Sequence, residues 1–179
     1  HAKEHHRADR LAAARQSRGR SPADRDAISD QQQVVAEFEV AGVHRDADQT
    51  YDESPDLTAL ARYPVAVVSA GAKAILDLEK TVERLETLGV PVIGFQTAEL
   101  PAFYTRSSGI KLALTVNDVQ TLARVVHAHW RVHPQMGILV ANPIPEEHAL
   151  PRPLIDDAIA RALADARDVG ARGKALTPF

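Results

Sequence analysis

A lysine that follows a short apolar run is the side chain in this sequence best placed for covalent chemistry. Lys73 comes directly after VAVVSAGA, where a buried strand is expected to give way to a turn. In a partly dry pocket, loss of hydration and the partial positive charge of a following helix N-terminus both favour the neutral amine. A neutral amine attacks carbonyl carbon, so the position indicates a nucleophile. Most lysines are solvated, and the same pattern taken alone also fits an ordinary surface loop.

Two polar stretches contain side chains that bind ions. Asp52, Glu53 and Asp56 lie in TYDESPDL, and carboxylate oxygens are ligands for a hard cation, alone or with a substrate phosphate. The stretch from Thr105 to Gly109 supplies a guanidinium group, hydroxyls and backbone N–H groups, a set that holds phosphate in many proteins. Both stretches also fit ordinary polar turns, because Ser, Pro, Asp and Gly are common turn residues.

Other common site motifs are either excluded by helix geometry or absent from the sequence. His127, His129 and His133 resemble a metal cluster, but His127 and His129 are two residues apart, so on a helix they point to nearly opposite sides and cannot share an ion. The sequence contains no GxGxxG, GxxxxGK[ST] or GxSxG motif, which disfavours dinucleotide sites, P-loop sites and nucleophile elbows.

The elements that position these residues follow from the hydrophobic pattern. From Pro64 onward, short β-branched runs alternate with amphipathic segments, which is typical of strands connected by helices. The expected strands are VAVVS (65–69), VPVIGF (90–95), IKLALT (110–115) and GILVAN (137–142). Such near-continuous apolar strands predict an α/β fold, with alternating βα units and helices on both faces of the sheet. Ligands of such sheets bind beyond the carboxyl ends of the strands, where Lys73 lies.

Three helices are expected between and after these strands. Asp77 is the expected N-cap of the first, which ends at Gly89, with Leu78, Val82, Leu85 and Leu88 on one face. Asn117 is the expected cap of the second, whose inward positions are Val119, Leu122, Val126 and Trp130. The third follows Pro153 and stops by Gly170, with Ile155, Ile159, Leu163 and Ala166 inward.

Composition divides the chain into two expected parts. Residues 1–41 form a polar segment with few large apolar side chains, expected to be disordered or only loosely attached, and residues 42–179 form the α/β domain. The net charge of −3, and the lack of aromatic residues among the N-terminal arginines, argue against nucleic acid as a partner. The absence of cysteine, of a secretory signal and of a spanning apolar stretch predicts a cytoplasmic protein away from membranes.

Six blocks of sequence, in one order, resemble the pseudouridine-5′-phosphate glycosidases. They are GVHRDADQTYDESPDL (42–57), PVAVVSAGAKAILDL (64–78), TVERLETLGVPVIGFQT (81–97), LPAFYTRSSG (100–109), ANPIPEEHALP (141–151) and GKALTPF (173–179). The resemblance implies reversible cleavage of the C–C glycosidic bond of pseudouridine 5′-phosphate to uracil and ribose 5-phosphate. It also implies a divalent metal, usually Mn²⁺, and a homotrimer.

The resemblance assigns roles to particular residues. Lys73 stands at the nucleophile of the AGAK motif and would form an adduct with C1′ of the ring-opened ribose. Asp52 stands at the metal-binding aspartate of the T-[FY]-D motif, and the substrate-contacting stretch falls on Ser54, Pro55 and Asp56. His44 and Arg45 precede this stretch and are expected near the site.

The chain also departs from the family pattern. Residues 1–41 do not resemble the family's N-terminal portion, so its general acid glutamate and its second, substrate-binding lysine cannot be assigned. The chain stops at TPF, where the family continues into a helical portion. Ser69 replaces a common cysteine. The alternative to an active glycosidase is therefore a catalytically inactive fragment that at most binds a phosphosugar.

Overall fold

A computed structural model describes residues 34–37 and 42–176 of the chain. The chain divides into two units, residues 1–34 and 35–179, and nearly all of the first lies outside the described residues. Of the polar segment predicted at residues 1–41, only one short strand is described. The predicted boundary between residues 41 and 42 stays a prediction.

A mostly parallel sheet forms the centre of the second unit. Its strands are β1 (Val34–Glu37), β2 (Val65–Ser69), β3 (Val92–Phe95), β4 (Leu114–Val116) and β5 (Ile138–Ala141), in the spatial order β1-β2-β5-β3-β4. Strands β2, β5, β3 and β4 pair in parallel. All four residues of β5 are buried, and because side chains alternate along a strand, both faces of the sheet are covered there. The α/β class predicted from the sequence is confirmed.

Helices lie between the strands, as alternating βα units require. They are α1 (Ala47–Thr50), α2 (Pro55–Arg62), α3 (Leu78–Thr87), α4 (Val119–Val132) and α5 (Arg152–Asp168), with 3₁₀ turns at Glu146–His148 and Gly173–Leu176. Asp77 caps α3 by accepting a hydrogen bond from Lys80 N at 3.1 Å, as predicted. Gly89, with φ +74°, follows the end of α3, also as predicted. No helix in the described part of the chain is long and apolar enough to cross a membrane.

Helix α4 packs on one face of the sheet. Leu122, Val125 and Val126 contact a buried cluster of strand residues that consists of Ile93, Val116, Ile138 and Val140. Trp130 is buried at the other end of the helix, where its indole N–H donates to Met136 O at 2.9 Å. Val119, predicted on the inward face, is 63% exposed because it is the first residue of the helix and lies at the edge of the contact.

Four details of the local structure differ from the sequence predictions. Strand β4 covers Leu114–Val116 rather than 110–115, because the residues before it pair with the 98–100 loop: Leu100 N donates to Ile110 O, and Leu112 N donates to Ala98 O. Asp118, not Asn117, caps α4, since its carboxylate accepts from Thr121 N at 2.8 Å. Helix α5 begins at Arg152, before Pro153. Helices α1 and α2 were not predicted, although Ser54-Pro55 is a good helix start.

Candidate active site

Lys73 lies in the loop between β2 and α3, at the carboxyl end of the central strands. Its side chain is half-buried, and α3 begins only at Leu78. A turn at Ala74 and Ile75, closed by a hydrogen bond from Leu76 N to Lys73 O at 2.9 Å, separates the lysine from the helix N-terminus. The end of β2 is joined to the segment after β5 by a hydrogen bond from Asn142 N to Ser69 O at 2.8 Å. The loops that follow both strands therefore start from one edge of the sheet, where ligands of parallel sheets bind.

Gly71 allows the lysine loop to pack directly on the backbone of the loop that follows β3. Its φ is +86°, and a Cβ at this position would lie 1.8 Å from Pro101 O, so no larger residue fits without a backbone shift. The contact is closed by a hydrogen bond from Phe103 N to Ala70 O at 2.9 Å. The conformation of the AGAK loop therefore depends on the LPAFYTRSSG loop.

A short extended segment, Gly42 to His44, connects the lysine loop with the acidic turn. Val43 forms antiparallel bridges to Glu53 on one side and to Asp77 on the other. Asp77 N donates to Val43 O at 2.9 Å, and Ser54 N donates to Gly42 O at 3.1 Å. The turn that contains Asp52 and the loop that contains Lys73 are thus hydrogen-bonded to the same three residues.

Arg45 strengthens this connection with its side chain. Its guanidinium donates from Nε to Ile75 O at 2.8 Å and from Nη2 to Ala74 O at 3.1 Å, the two residues that follow Lys73. His44, its neighbour, is buried. Because two donors of one rigid, planar group bind consecutive carbonyls, Arg45 limits the conformations of the lysine loop.

The backbone of Asp52 is fixed on both sides. Its N–H donates to Thr50 Oγ1 at 3.3 Å, and its carbonyl accepts from His44 N at 3.2 Å. Thr50 Oγ1 in turn donates to Asp46 O at 3.0 Å. Tyr51, between them, has φ +55°, a left-handed conformation that is uncommon for a tyrosine and ends α1 directly before Asp52. This explains physically why a threonine precedes the aspartate by two positions.

Ser54, Pro55 and Asp56 form the start of α2. Ser54 Oγ accepts from Asp56 N at 3.3 Å, and Pro55 occupies the first helical position. Glu53, predicted with Asp52 and Asp56 as a possible metal ligand, instead pairs with Arg84 of α3, with Nε and Oε2 2.8 Å apart. Glu53 therefore holds the turn against α3 by an ion pair.

Cation binding by Asp52 stays a prediction, and the structure shows which groups surround its carboxylate. Among residues 42–176, no group of three or more His, Asp or Glu side chains could hold a metal ion. Asp46 Oδ1, however, is buried and has no hydrogen-bond partner in the described part of the chain. Gly173 lies against both aspartates, because its N–H donates to Asp46 Oδ2 at 2.9 Å and a Cβ on it would lie 2.4 Å from Asp52 Oδ2. One carboxylate with a second nearby fits a hard ion whose shell is completed by substrate.

The loop predicted to hold phosphate borders a cavity of about 370 Å³. The lining includes Thr105, Ser107 and Ser108 with Arg45 and Arg152, but also the carboxylates of Asp77, Glu79 and Asp156. Thr105 Oγ1 and the Ser107 hydroxyl already donate to Ser107 O and Glu99, and Arg106 donates to Ile144 O. Phosphate binding by residues 105–109 stays a prediction, because these groups are engaged within the protein and the cavity has charges of both signs.

Three histidines lie near the end of α4, and one of them is partly buried. The rings of His129 and His133 have their centroids 5.3 Å apart, and His127 is exposed. Burial lowers the pKa of His129, and the nearby His133 acts in the same direction. His129 Nε2 is buried without a hydrogen-bond partner among the described residues.

A comparison with protein families places this arrangement in a known group. The family described as "Indigoidine synthase A like protein" matches residues 27–179. The chain belongs to this family. Curated relatives include the pseudouridine-5′-phosphate glycosidases of Caldanaerobacter subterraneus subsp. tengcongensis and Myxococcus xanthus, which are 57% and 55% identical over 140 residues. Each alignment covers 78% of this chain and 46% of the relative, so the chain spans about half the length of the curated relatives it matches.

Two solved structures resemble the fold. One is the prealnumycin C-glycosynthase AlnA in complex with ribulose 5-phosphate, with a TM-score of 0.75 and 40% identity over 82% of this chain and 48% of that one. The other is an indigoidine synthase A-like protein from Thermotoga maritima, with a TM-score of 0.67 and 32% identity over 81% and 46% of the two chains. The resemblance to the glycosidase family noted from the six sequence blocks is confirmed.

The structure adds residues that the sequence patterns did not single out. Asp46 contacts both Thr50 and Gly173, and these two contact Asp52. Thr81 supports the segment from Gly42 to His44, because its Oγ1 accepts from Val43 N at 3.0 Å. The available signal was their position inside the matching blocks, since Thr50 belongs to T-[FY]-D and Gly173 opens GKALTPF.

Proposed function

We propose that this chain cleaves the C–C glycosidic bond of pseudouridine 5′-phosphate reversibly, giving uracil and ribose 5-phosphate. The observation that carries the proposal is the attachment of both the Lys73 loop and the Asp52 turn to the segment from Gly42 to His44. The names of the curated relatives support this substrate, and the phosphosugar in the AlnA structure supports its chemical class.

Lys73 is the proposed nucleophile. Its amine adds to C1′ and the C1′–O4′ bond breaks, so that the ribose ring opens and O4′ takes up a proton. The nitrogen lone pair then forms a C1′=N imine, while the electrons of the C1′–C5 bond pass to uracil, whose C5 takes up a proton. Water hydrolyses the imine to release ribose 5-phosphate and the free amine. A C–C bond offers no leaving oxygen to protonate, which is why an imine gives a lower-energy route than direct hydrolysis.

Asp52 is the proposed ligand of a divalent cation, Mn²⁺ by the resemblance, with Ser54, Pro55 and Asp56 in contact with the substrate. The buried, unpartnered oxygen of Asp46 and the tight packing of Gly173 on Asp52 support a cation at this place. When bound, such an ion neutralises substrate phosphate charge and orients the sugar. Arg45 keeps the lysine loop in position through the carbonyls of Ala74 and Ile75. We further propose a cytoplasmic homotrimer, in line with the resemblance and the absence of cysteine.

The experiment is uracil release from pseudouridine 5′-phosphate in the presence of Mn²⁺, followed by absorbance or chromatography. We expect release by the unmodified chain and none by Lys73→Ala, because no other group forms the imine. Lys111→Ala, which removes an exposed lysine, is the matched control and should retain activity. Borohydride reduction in the presence of ribose 5-phosphate should attach the sugar to Lys73, detectable by peptide mass spectrometry.

The two measurements separate an enzyme from a binding module. Absence of uracil with the unmodified chain would refute the proposed activity, since the chain matches only 46% of the relative's length and must act alone in this assay. A borohydride adduct on Lys73 without uracil release would instead support the alternative, a phosphosugar-binding module that does not complete the reaction.

A further inference from the structure

Asp46 stands at the N-cap of α1, but its carboxylate does not cap that helix. An aspartate at this position ordinarily accepts a hydrogen bond from an N–H group of the first turn. Here the backbone carbonyl of Asp46 accepts from the amide of Thr50 at 3.0 Å, and the side chain contacts a distant part of the chain instead. The carboxylate therefore has a role other than helix capping.

That distant part is Gly173, 127 positions away in the sequence. Gly173 N donates to Asp46 Oδ2 at 2.9 Å. Gly173 is buried, has φ +52°, and packs so closely on Asp52 that a methyl group on its Cα would lie 2.4 Å from Asp52 Oδ2. The backbone of Gly173 thus lies against both carboxylates, and the hydrogen bond to Asp46 fixes its position.

We infer that Asp46 is a positioning residue that, through Gly173, sets the orientation of the Asp52 carboxylate for binding a divalent cation. The inference rests on the role proposed for Asp52. A second connection acts on the backbone: Asp46 O accepts from Thr50 Oγ1, which accepts from Asp52 N. The carbonyl of Asp46 therefore restrains the main chain of Asp52 whatever side chain stands at position 46, while its carboxylate acts on the Asp52 side chain through Gly173, as residues behind metal ligands commonly do.

The test is calorimetric titration of the whole 179-residue chain with Mn²⁺ alone, with circular dichroism to confirm that each variant is folded. We expect Asp46→Ala to weaken Mn²⁺ binding by about 10- to 100-fold, the usual effect of removing a group that orients a ligand. Asp46→Asn should remain close to the unmodified chain, because its amide oxygen still accepts from Gly173 N–H.

Gly173→Ala should also weaken Mn²⁺ binding, because the added methyl group displaces the Asp52 carboxylate. The matched control is Gly170→Ala: Gly170 has φ +70°, so the backbone strain is similar, but nothing lies within 4 Å of its added Cβ. Gly170→Ala should bind Mn²⁺ like the unmodified chain.

Three results would overturn the inference: no Mn²⁺ binding by the unmodified chain, unchanged affinity in Asp46→Ala, or equal weakening in Asp46→Asn and Asp46→Ala. The last result would mean that the charge of Asp46 acts on the ion directly. Uracil release is measured on the same samples. If the Mn²⁺ affinities follow the expected pattern but no uracil is released, only the glycosidase proposal is refuted. If uracil is released but Asp46→Ala binds Mn²⁺ as tightly as the unmodified chain, only the role of Asp46 is refuted.

Discussion

Replacing Gly71 by alanine tests whether the lysine loop depends on its contact with the loop after β3. The residue has φ +86°, and the new Cβ would lie 1.8 Å from Pro101 O, well inside van der Waals contact. Pro101 is fully buried, so its backbone has little freedom to move away. The left-handed backbone costs about 1–2 kcal/mol for alanine, overpacking about 1–3 kcal/mol, and a weakened hydrogen bond between Phe103 N and Ala70 O about 1 kcal/mol.

We therefore expect Gly71→Ala to lower the free energy of unfolding by about 3–6 kcal/mol, the sum of these three contributions. In urea unfolding this corresponds to a decrease of the midpoint by about 2 M. Uracil release should fall as well, because the backbone shift moves Lys73, two residues away. The assays are urea titration followed by circular dichroism, and the uracil assay at a urea-free condition where the variant is still folded.

Gly170→Ala is the control for backbone strain. Its φ of +70° is similar, but the added Cβ meets no atom within 4 Å, so we expect a loss of only about 1–2 kcal/mol. Equal losses in the two variants would refute the importance of the Pro101 contact. A Gly71→Ala variant with unchanged stability would refute the close packing of the two loops altogether.

Two further predictions concern side chains outside the AGAK loop. Arg45→Ala should lower the free energy of unfolding by about 1–2 kcal/mol, because two carbonyls lose a charged donor at a partly exposed site. Urea unfolding measures this loss. Replacing the exposed Arg62 by alanine is the control and should change the free energy of unfolding little. Burial lowers the pKa of His129 below the value of about 6.5 in the unfolded chain. As pH falls below that value the unfolded state binds a proton that the folded state disfavours, so stability falls. His129→Gln should remove this part of the acid sensitivity and the exposed His127→Gln should not, in urea unfolding at pH values from about 7.5 to about 5.

The sequence predicted the ends of an element most accurately where a single residue determines where that element begins or ends. Asp77 and Gly89 mark the limits of α3 because an N-cap carboxylate and a left-handed glycine act over a few residues. The predicted bounds of β4 were wrong because the alternating pattern of IKLALT is compatible with pairing to any extended segment. The first residues of IKLALT pair instead with the 98–100 loop, and this pairing depends on segments that are distant from them in the sequence.

For the candidate site, the sequence determined the chemical groups: an amine after a buried strand, an acidic turn, and the blocks that identify the family. Only the tertiary structure decided which of them meet. The antiparallel bridges of Val43 to Glu53 and to Asp77, and the contact of Gly173 with Asp46 and Asp52, join residues that are far apart in the chain. Such contacts form only when the sheet order β1-β2-β5-β3-β4 brings the loops together, and no local pattern encodes that order.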